Sequence, residues 1–247
     1  MEINVMKKQM RLDKYLAQMS IGTRSQVKQM VRKGQVCVNG TVVKKPEYKV
    51  DPDQDQVVAD GVKTKYVHEE YIMLNKPSGV VSATKDPREK TVLDLIDGQK
   101  RKDLFPAGRL DKDTEGLLLL TSDGELAHRL LSPKKHVDKT YYARIQGRVT
   151  NEDVKVFLKG LDIGDEKPAL PAVLQVLIEG EISEILITIQ EGRFHQVKRM
   201  FKAVDKKVVY LKRISMGSLV LDETLMPVQY RNLTEEEIQR LKEEQNE

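Results

Sequence analysis

Cysteine occurs once in this 247-residue chain, at Cys37, which excludes an intrachain disulfide and any zinc cluster built on several thiolates. Set within Val36-Cys37-Val38, that thiol reads as a small residue in a strand. No apolar run approaches the roughly 18 residues of a membrane-spanning helix, and Met1-Glu2-Ile3-Asn4-Val5 lacks a secretory pattern, so a cytosolic protein is expected. No glycine-rich loop follows a strand as a dinucleotide-like cofactor would need, which argues against a methyltransferase and predicts no cofactor. His and Asp clusters at metal-binding spacing are also missing, and no metal is expected. Internal repeats and low-complexity tracts are absent.

What is present is an ordinary balance of 32% charged and 39% apolar residues, in a chain long enough for one large domain and a smaller one. The charge is unevenly placed. Residues 1 to 50 hold eleven lysines and arginines against Glu2, Asp13 and Glu47, an excess of eight; with a net charge of +4, the remainder carries −4. Such asymmetry favours a polyanion-binding module joined to a different machine.

In that basic part, Leu12, Tyr15, Leu16 and Met19 recur at helical spacing, and Val27, Met30 and Val31 do so again after a break at Gly22-Thr23. On the second helix Arg24, Lys28 and Arg32 are four residues apart and share a face away from Val27 and Val31. Three like charges in a row repel one another, and phosphates would neutralise them. A hairpin turning on Asn39-Gly40 follows, and Lys33, Lys44 and Lys45 extend the basic surface. Only Tyr15 and Tyr48 could stack bases here, so the module reads as an anchor rather than a reader of sequence. Polar residues from Asp51 to Gln56 and weak periodicity up to Tyr71 put a linker within residues 56 to 68, and the domain boundary at 60/61.

From Tyr71 strands alternate with helices. Tyr71 to Asn75 reads as a strand, Lys76-Pro77-Ser78-Gly79 as a turn, and Val80 to Ser82 as the strand's continuation. Leu117 to Leu120 is a buried strand, and Ser122 with Glu125 forms a capping box that opens a helix. Tyr141, Ala143 and Ile145 alternate along one strand, Ile185, Ile187 and Ile189 along another. Val197, Met200, Phe201 and Val204 stripe a helix whose other face carries His195, Lys198, Arg199 and Lys202. Thr234 and Glu237 cap a charged terminal helix.

Asp111, in Gly108-Arg109-Leu110-Asp111, precedes the Leu117 strand and by itself reads as a turn aspartate. Its company alters that reading. Gly108 to Asp111, Lys139-Thr140-Tyr141 and Glu191-Gly-Arg-Phe-His-Gln-Val-Lys-Arg-Met200, with Asn75-Lys-Pro-Ser-Gly79, together resemble the pseudouridine synthases that carry an amino-terminal alpha-L domain. The stretch from Arg11-Leu-Asp-Lys-Tyr-Leu to Val36-Cys-Val-Asn-Gly resembles that domain itself, the S4-like RNA-binding module. The resemblance covers nearly the whole chain and implies an α+β protein: a small RNA-binding domain over residues 1–60, then a catalytic domain over 61–247 with a mixed, mainly antiparallel sheet flanked by helices.

It also implies an isomerase that converts uridine in ribosomal RNA to pseudouridine. Asp111 would be the catalytic nucleophile or base, Lys198 the cation that keeps it ionised, although many relatives have arginine there, and Tyr141 the aromatic against the target base, with a core tyrosine as the alternative. Arg109 would hold a phosphate or displace a base as the target is extruded, and Arg193, His195 and Arg199 would contact RNA, with a structural role equally open to His195. Lys76 reads either as an RNA contact or as a turn residue. The segments at 190–201 and 216–223 resemble the branch acting on small-subunit (16S) ribosomal RNA, and one site per chain with a tethered anchor predicts a monomer. The alternatives are a synthase for large-subunit (23S) RNA, a non-catalytic ribosome-assembly factor, and a metal-dependent nuclease built on Asp111, Asp113 and Glu115.

Overall fold

The computed structural model describes residues 9–244; Met1 to Val5 and the basic Lys7 and Lys8 lie outside the described residues. After β1 (Met10–Arg11), helices α1 (Leu12–Gln18) and α2 (Arg24–Arg32) form where the apolar spacing places them. Leu12, Tyr15, Leu16, Val27 and Val31 are buried in one core with Val36, Val38 and Val57. A reciprocal cap starts α2: Gln26 N donates to Thr23 Oγ1 at 3.3 Å and Thr23 N to Gln26 Oε1 at 2.8 Å. Strands β2 (Val36–Val38) and β3 (Thr41–Val42) turn on Asn39 and Gly40, both at positive φ, as a tight hairpin requires. Next, β4 (Lys49–Val50) pairs with β1.

Residues 56–68 are not a linker. They contain β5 (Val57–Ala59) and β6 (Val62–Thr64), a second hairpin on Asp60-Gly61 that completes a four-stranded sheet in the order β3-β2-β5-β6. The boundary therefore falls at Glu70/Tyr71 and not at 60/61, and this first unit also takes in Asp97–Leu104. That segment is tied in by Arg101, whose Nη1 donates to Val67 O at 2.9 Å and whose backbone N donates to Glu70 Oε2 at 2.7 Å.

The second unit is a nine-stranded sheet with helices. Its elements are β7 (Tyr71–Lys76), β8 (Phe105–Pro106), β9 (Glu115–Thr121), α3 (Gly124–Leu131), β10 (Lys139–Gln146), α4 (Asn151–Phe157), β11 (Val173–Ile178), β12 (Ile182–Ile189), α5 (Gln196–Lys202), β13 (Lys207–Met216), β14 (Leu219–Val220), β15 (Tyr230–Asn232) and α6 (Glu235–Glu243). The main path runs β11-β12-β10-β13-β9-β7-β15, with β8 on β9 and β14 on β13. Among the described strands only β9 and β13 pair in parallel, so the sheet is mixed and mainly antiparallel, and the α+β class expected from the sequence is the one observed. Strands β7 and β9 are buried almost throughout, whereas β10 alternates, with Lys139, Tyr141, Ala143 and Ile145 inward.

Gly116 makes the parallel pairing possible. At φ +97 it sits so close to β13 that a Cβ would lie 2.2 Å from the carbonyl oxygen of Arg213. Two local expectations fail for identifiable reasons. Val80 to Ser82 is no strand: Val81 makes a single bridge to Thr91, and Ser82 turns its hydroxyl to Leu110. Helix α3 is capped by Asp123, not Ser122; Asp123 Oδ1 accepts from Leu126 N at 2.9 Å while its other oxygen is held by Tyr71 Oη at 2.8 Å.

Candidate active site

The loop 108–114, between β8 and β9, carries Asp111 and is clasped on both sides. Ser82 Oγ donates to Leu110 O at 2.9 Å and accepts from Leu110 N at 3.0 Å. Gly79 N donates to Lys112 O at 2.8 Å, and Thr114 N donates to Asp111 O at 3.1 Å. Lys76, at the end of β7 and opposite Gly116, pushes its ammonium under the loop. There it donates to Asp111 O at 3.1 Å, Lys112 O at 3.3 Å, Thr114 O at 2.8 Å and Pro77 O at 3.0 Å. Lys76 is fully buried, which corrects its reading as an RNA contact: four carbonyls use its donors and none of its surface is exposed. Burial lowers its pKa to about 8 against the opposing pull of Asp113 and Asp111.

Lys198 reaches this loop from α5, 87 residues away in sequence, and its Nζ lies 2.9 Å from Asp111 Oδ2. Val197, Met200 and Phe201 are buried on one side of the helix, so Lys198 is directed at the loop by the packing of its neighbours. The same ammonium is 2.6 Å from Asp113 Oδ1. Burial pushes the Lys198 ammonium down, but bonds to Asp113 and Asp111 outweigh it and leave its pKa raised. For Asp113 burial acts upward, and the Lys198 bond and charge reverse it, leaving that carboxyl below its ordinary value.

The other oxygen of Asp111 faces His195, whose Nε2 stands 3.6 Å away, beyond hydrogen-bond reach. His195 occupies the left-handed region at φ 50 and stacks on Phe194 with ring centroids 3.8 Å apart. Phe194 itself is 67% exposed. Tyr141 comes from the inward face of β10 and, with Ile189, Val197 and Leu211, forms the apolar wall of the cleft that holds Asp111. Its neighbour Tyr142 faces the opposite way and donates to Glu184 Oε2 at 2.7 Å. Arg109 is exposed at the rim. The cleft thus sets a half-buried carboxylate with a fixed counter-charge against an apolar, aromatic wall. That combination suits a flat, polar-edged ring and an ionic attack on it.

Two expected RNA contacts are instead structural ties. Arg193 donates to Glu191 Oε1 at 2.6 Å, Lys167 O at 2.6 Å and Pro168 O at 3.0 Å. Arg199 clasps Asp165 with bonds of 2.6 and 3.1 Å and donates to Phe194 O at 2.8 Å. Both guanidiniums hold the segment 163–168 and the turn before α5, because their donors meet internal acceptors that no spacing rule brings together. Asp113 and Glu115 part company as well: Glu115 Oε2 accepts from Tyr210 Oη at 2.7 Å, and among the described residues no three His, Cys, Asp or Glu side chains converge as a metal site would require.

Within the first unit Arg24 and Arg32 are exposed and Lys28 is half-exposed along one face of α2, with Lys33 and Lys44 exposed nearby. Sequence reasoning missed Ser82 and Asp165, and considered Asp113 only as a metal ligand, not as a partner of Lys198. Only Asp113 left a signal, as a carboxylate two positions from Asp111.

A family model described as RNA pseudouridylate synthase matches residues 70–203, and one described as S4 domain matches residues 10–57. The uncharacterized RNA pseudouridine synthase YtzG of Bacillus subtilis is 48% identical over 96% of this chain and 100% of its own length. The ribosomal small subunit pseudouridine synthase A of Escherichia coli is 43% identical over 93% of this chain and 98% of its own. Among solved structures, a crystal structure of a pseudouridylate synthase superposes with a TM-score of 0.66 at 38% identity, covering 94% of this chain and 99% of the other.

Proposed function

The chain belongs to the RNA pseudouridylate synthase family, an isomerase family, and we propose that its substrate is one uridine of small-subunit (16S) ribosomal RNA, with Asp111 as nucleophile or base. The observation that carries the site assignment is the 2.9 Å contact between Lys198 Nζ and Asp111 Oδ2. The small-subunit assignment is supported by the full-length likeness to the E. coli enzyme whose name states that substrate.

The reaction breaks the bond between uracil N1 and the sugar C1′, turns the ring, and joins C5 to C1′; C5 gives up its proton and N1 takes one up, so the product is an isomer of the substrate. It needs neither an oxidant nor a group donor. Asp111 is bonded to Lys198 through Oδ2, and its Oδ1 is the oxygen placed to attack C1′ or to take a proton. The apolar wall at Tyr141 holds the freed ring in place during its turn, so that recombination is effectively intramolecular. Arg109, at the rim, contacts the strand from which the uridine is extruded. His195 lies at the edge of the ring. Arg24, Lys28, Arg32, Lys33 and Lys44 bind phosphates of structured RNA, so that a chain acting as a monomer grips its substrate at two places.

Mapping pseudouridine in 16S ribosomal RNA from cells with and without the gene tests this reading. One uridine that is modified only when the gene is present is the expected result. A site lost from 23S RNA instead would move the substrate to the large subunit, and no lost site would leave the assembly-factor alternative.

A further inference from the structure

Lys139 and Arg213 are 6% and 2% exposed, and among the described residues neither makes an ion pair within 4.0 Å; the charge of the neighbouring Asp138 acts on Lys139 without a direct contact. Strand pairing brings them together: on β13, Arg213 lies opposite Tyr141, two residues along β10 from Lys139. Lys139 Nζ donates to Val137 O at 2.8 Å. Arg213 Nε donates to Leu117 O at 2.8 Å, while Nη2 is buried with no hydrogen-bond partner. Both residues line a cavity beside the Asp111 cleft, and Arg109 and Tyr141 form a wall common to the two. The one carboxylate on that cavity, Glu191, is already engaged: Oε1 by Arg193, Oε2 by Leu170 N and Gln196 Nε2.

Burying two like charges without an anion is costly, and a buried donor with no acceptor adds to the cost. Burial, then the charge of Arg213, pulls the Lys139 ammonium down to about 8 against the weaker opposing charge of Asp138. An anion entering the cavity would reverse both effects, whereas a neutral uracil oxygen would fill one donor and leave the charges unbalanced. We infer that Lys139 and Arg213 form a subsite for a phosphodiester of the RNA, adjoining the nucleotide whose ring lies against Tyr141. The inference rests on the reading of the chain as a uridine isomerase, and it gives the lysine of Lys139-Thr140-Tyr141 a positioning role distinct from the chemistry at Asp111.

The test is calorimetric titration of the full-length protein with uridine, uridine 5′-monophosphate, uridine 3′-monophosphate and inorganic phosphate. One of the monophosphates should bind at least about tenfold more tightly than uridine, equivalent to about 1.4 kcal/mol, and inorganic phosphate should compete with it. Lys139→Met should remove the preference while leaving uridine affinity unchanged, and Lys139→Arg should keep most of it. Lys139 carries the test because Arg213 also ties β13 to β9. Equal affinity for uridine and both monophosphates, no binding by any of them, inorganic phosphate that fails to compete, or a preference that survives Lys139→Met would each overturn the subsite. Pseudouridine formed on ribosomal RNA by a protein with no phosphate preference would remove this inference alone; no pseudouridine on any RNA would remove the reading beneath it.

Discussion

Asp113 stands closer to the ammonium of Lys198, at 2.6 Å, than Asp111 does, at 2.9 Å. One ammonium thus bridges an exposed carboxylate and a half-buried one. Lys198→Met should lower kcat/KM about a hundredfold, in line with loss of a charge-assisted hydrogen bond of about 1.5 to 3 kcal/mol. Asp113→Asn should lower it about tenfold or less, because Lys198 keeps its bond to Asp111. Steady-state kinetics on an RNA fragment measures both; equal losses would mean that Asp113 shares in the chemistry.

Ser82 holds Leu110 by both its N–H and its carbonyl. Ser82→Ala leaves these two part-buried groups without that partner, which should cost about 1 to 3 kcal/mol locally. The expected result is a fall in kcat with little change in KM or RNA affinity, since the loop loosens at Asp111 while the RNA-binding surfaces are untouched. A change confined to KM would place the role of Ser82 in binding instead.

Lys76 sets a pH dependence of stability. Its folded pKa, about 8, lies below the ordinary lysine value of 10.5. Between those values the unfolded chain binds more protons, so this group's contribution to stability rises with pH through that window, by at most about 3 kcal/mol. Below about pH 8 the full cost of burying the ammonium applies. Denaturant unfolding across pH 7 to 10 should show a rise in the native protein that is smaller in Lys76→Met. The substitution should also destabilise the protein overall, because four carbonyls lose their donor.

Much of this architecture is legible in the chain. The Thr234 cap, the Asn39-Gly40 hairpin and the inward alternation of Tyr141, Ala143 and Ile145 follow local rules and are found as read. The hairpin on Asp60-Gly61 carried a comparable turn signal but sat in a polar stretch whose periodicity looked weak. The burial of Lys76 could not be read, because it depends on the β7–β9 register that puts Lys76 opposite Gly116 and lays the Asp111 loop over it. Arg193 and Arg199 looked like free cations because their partners at 163–168 lie roughly thirty residues earlier, in a segment with no motif of its own. The pairing of Asp111 with Lys198 was expected from resemblance and is present as geometry; no residue spacing implied it.

Gly116→Ala should be among the most damaging single changes to folding. Its Cβ would lie 2.2 Å from backbone at Arg213, which cannot yield without parting β9 from β13. Loss of soluble protein, or a marked fall in Tm, is expected; an unchanged Tm would mean that the parallel pairing tolerates separation.

If the basic row on α2 binds phosphates as proposed, reversing Arg24, Lys28 and Arg32 to glutamate weakens RNA binding and flattens its salt dependence. Binding isotherms at several salt concentrations measure this, and an unchanged slope would assign that face to a protein partner.

The role of Asp111 is tested most directly by turnover and RNA binding of Asp111→Asn, measured side by side on small-subunit RNA with no added metal or cofactor. The expected result is that pseudouridine formation is abolished while RNA affinity stays within about twofold of the native protein, since phosphate contacts dominate affinity and Asp111 carries no positive charge to make one. Full turnover by Asp111→Asn would contradict it.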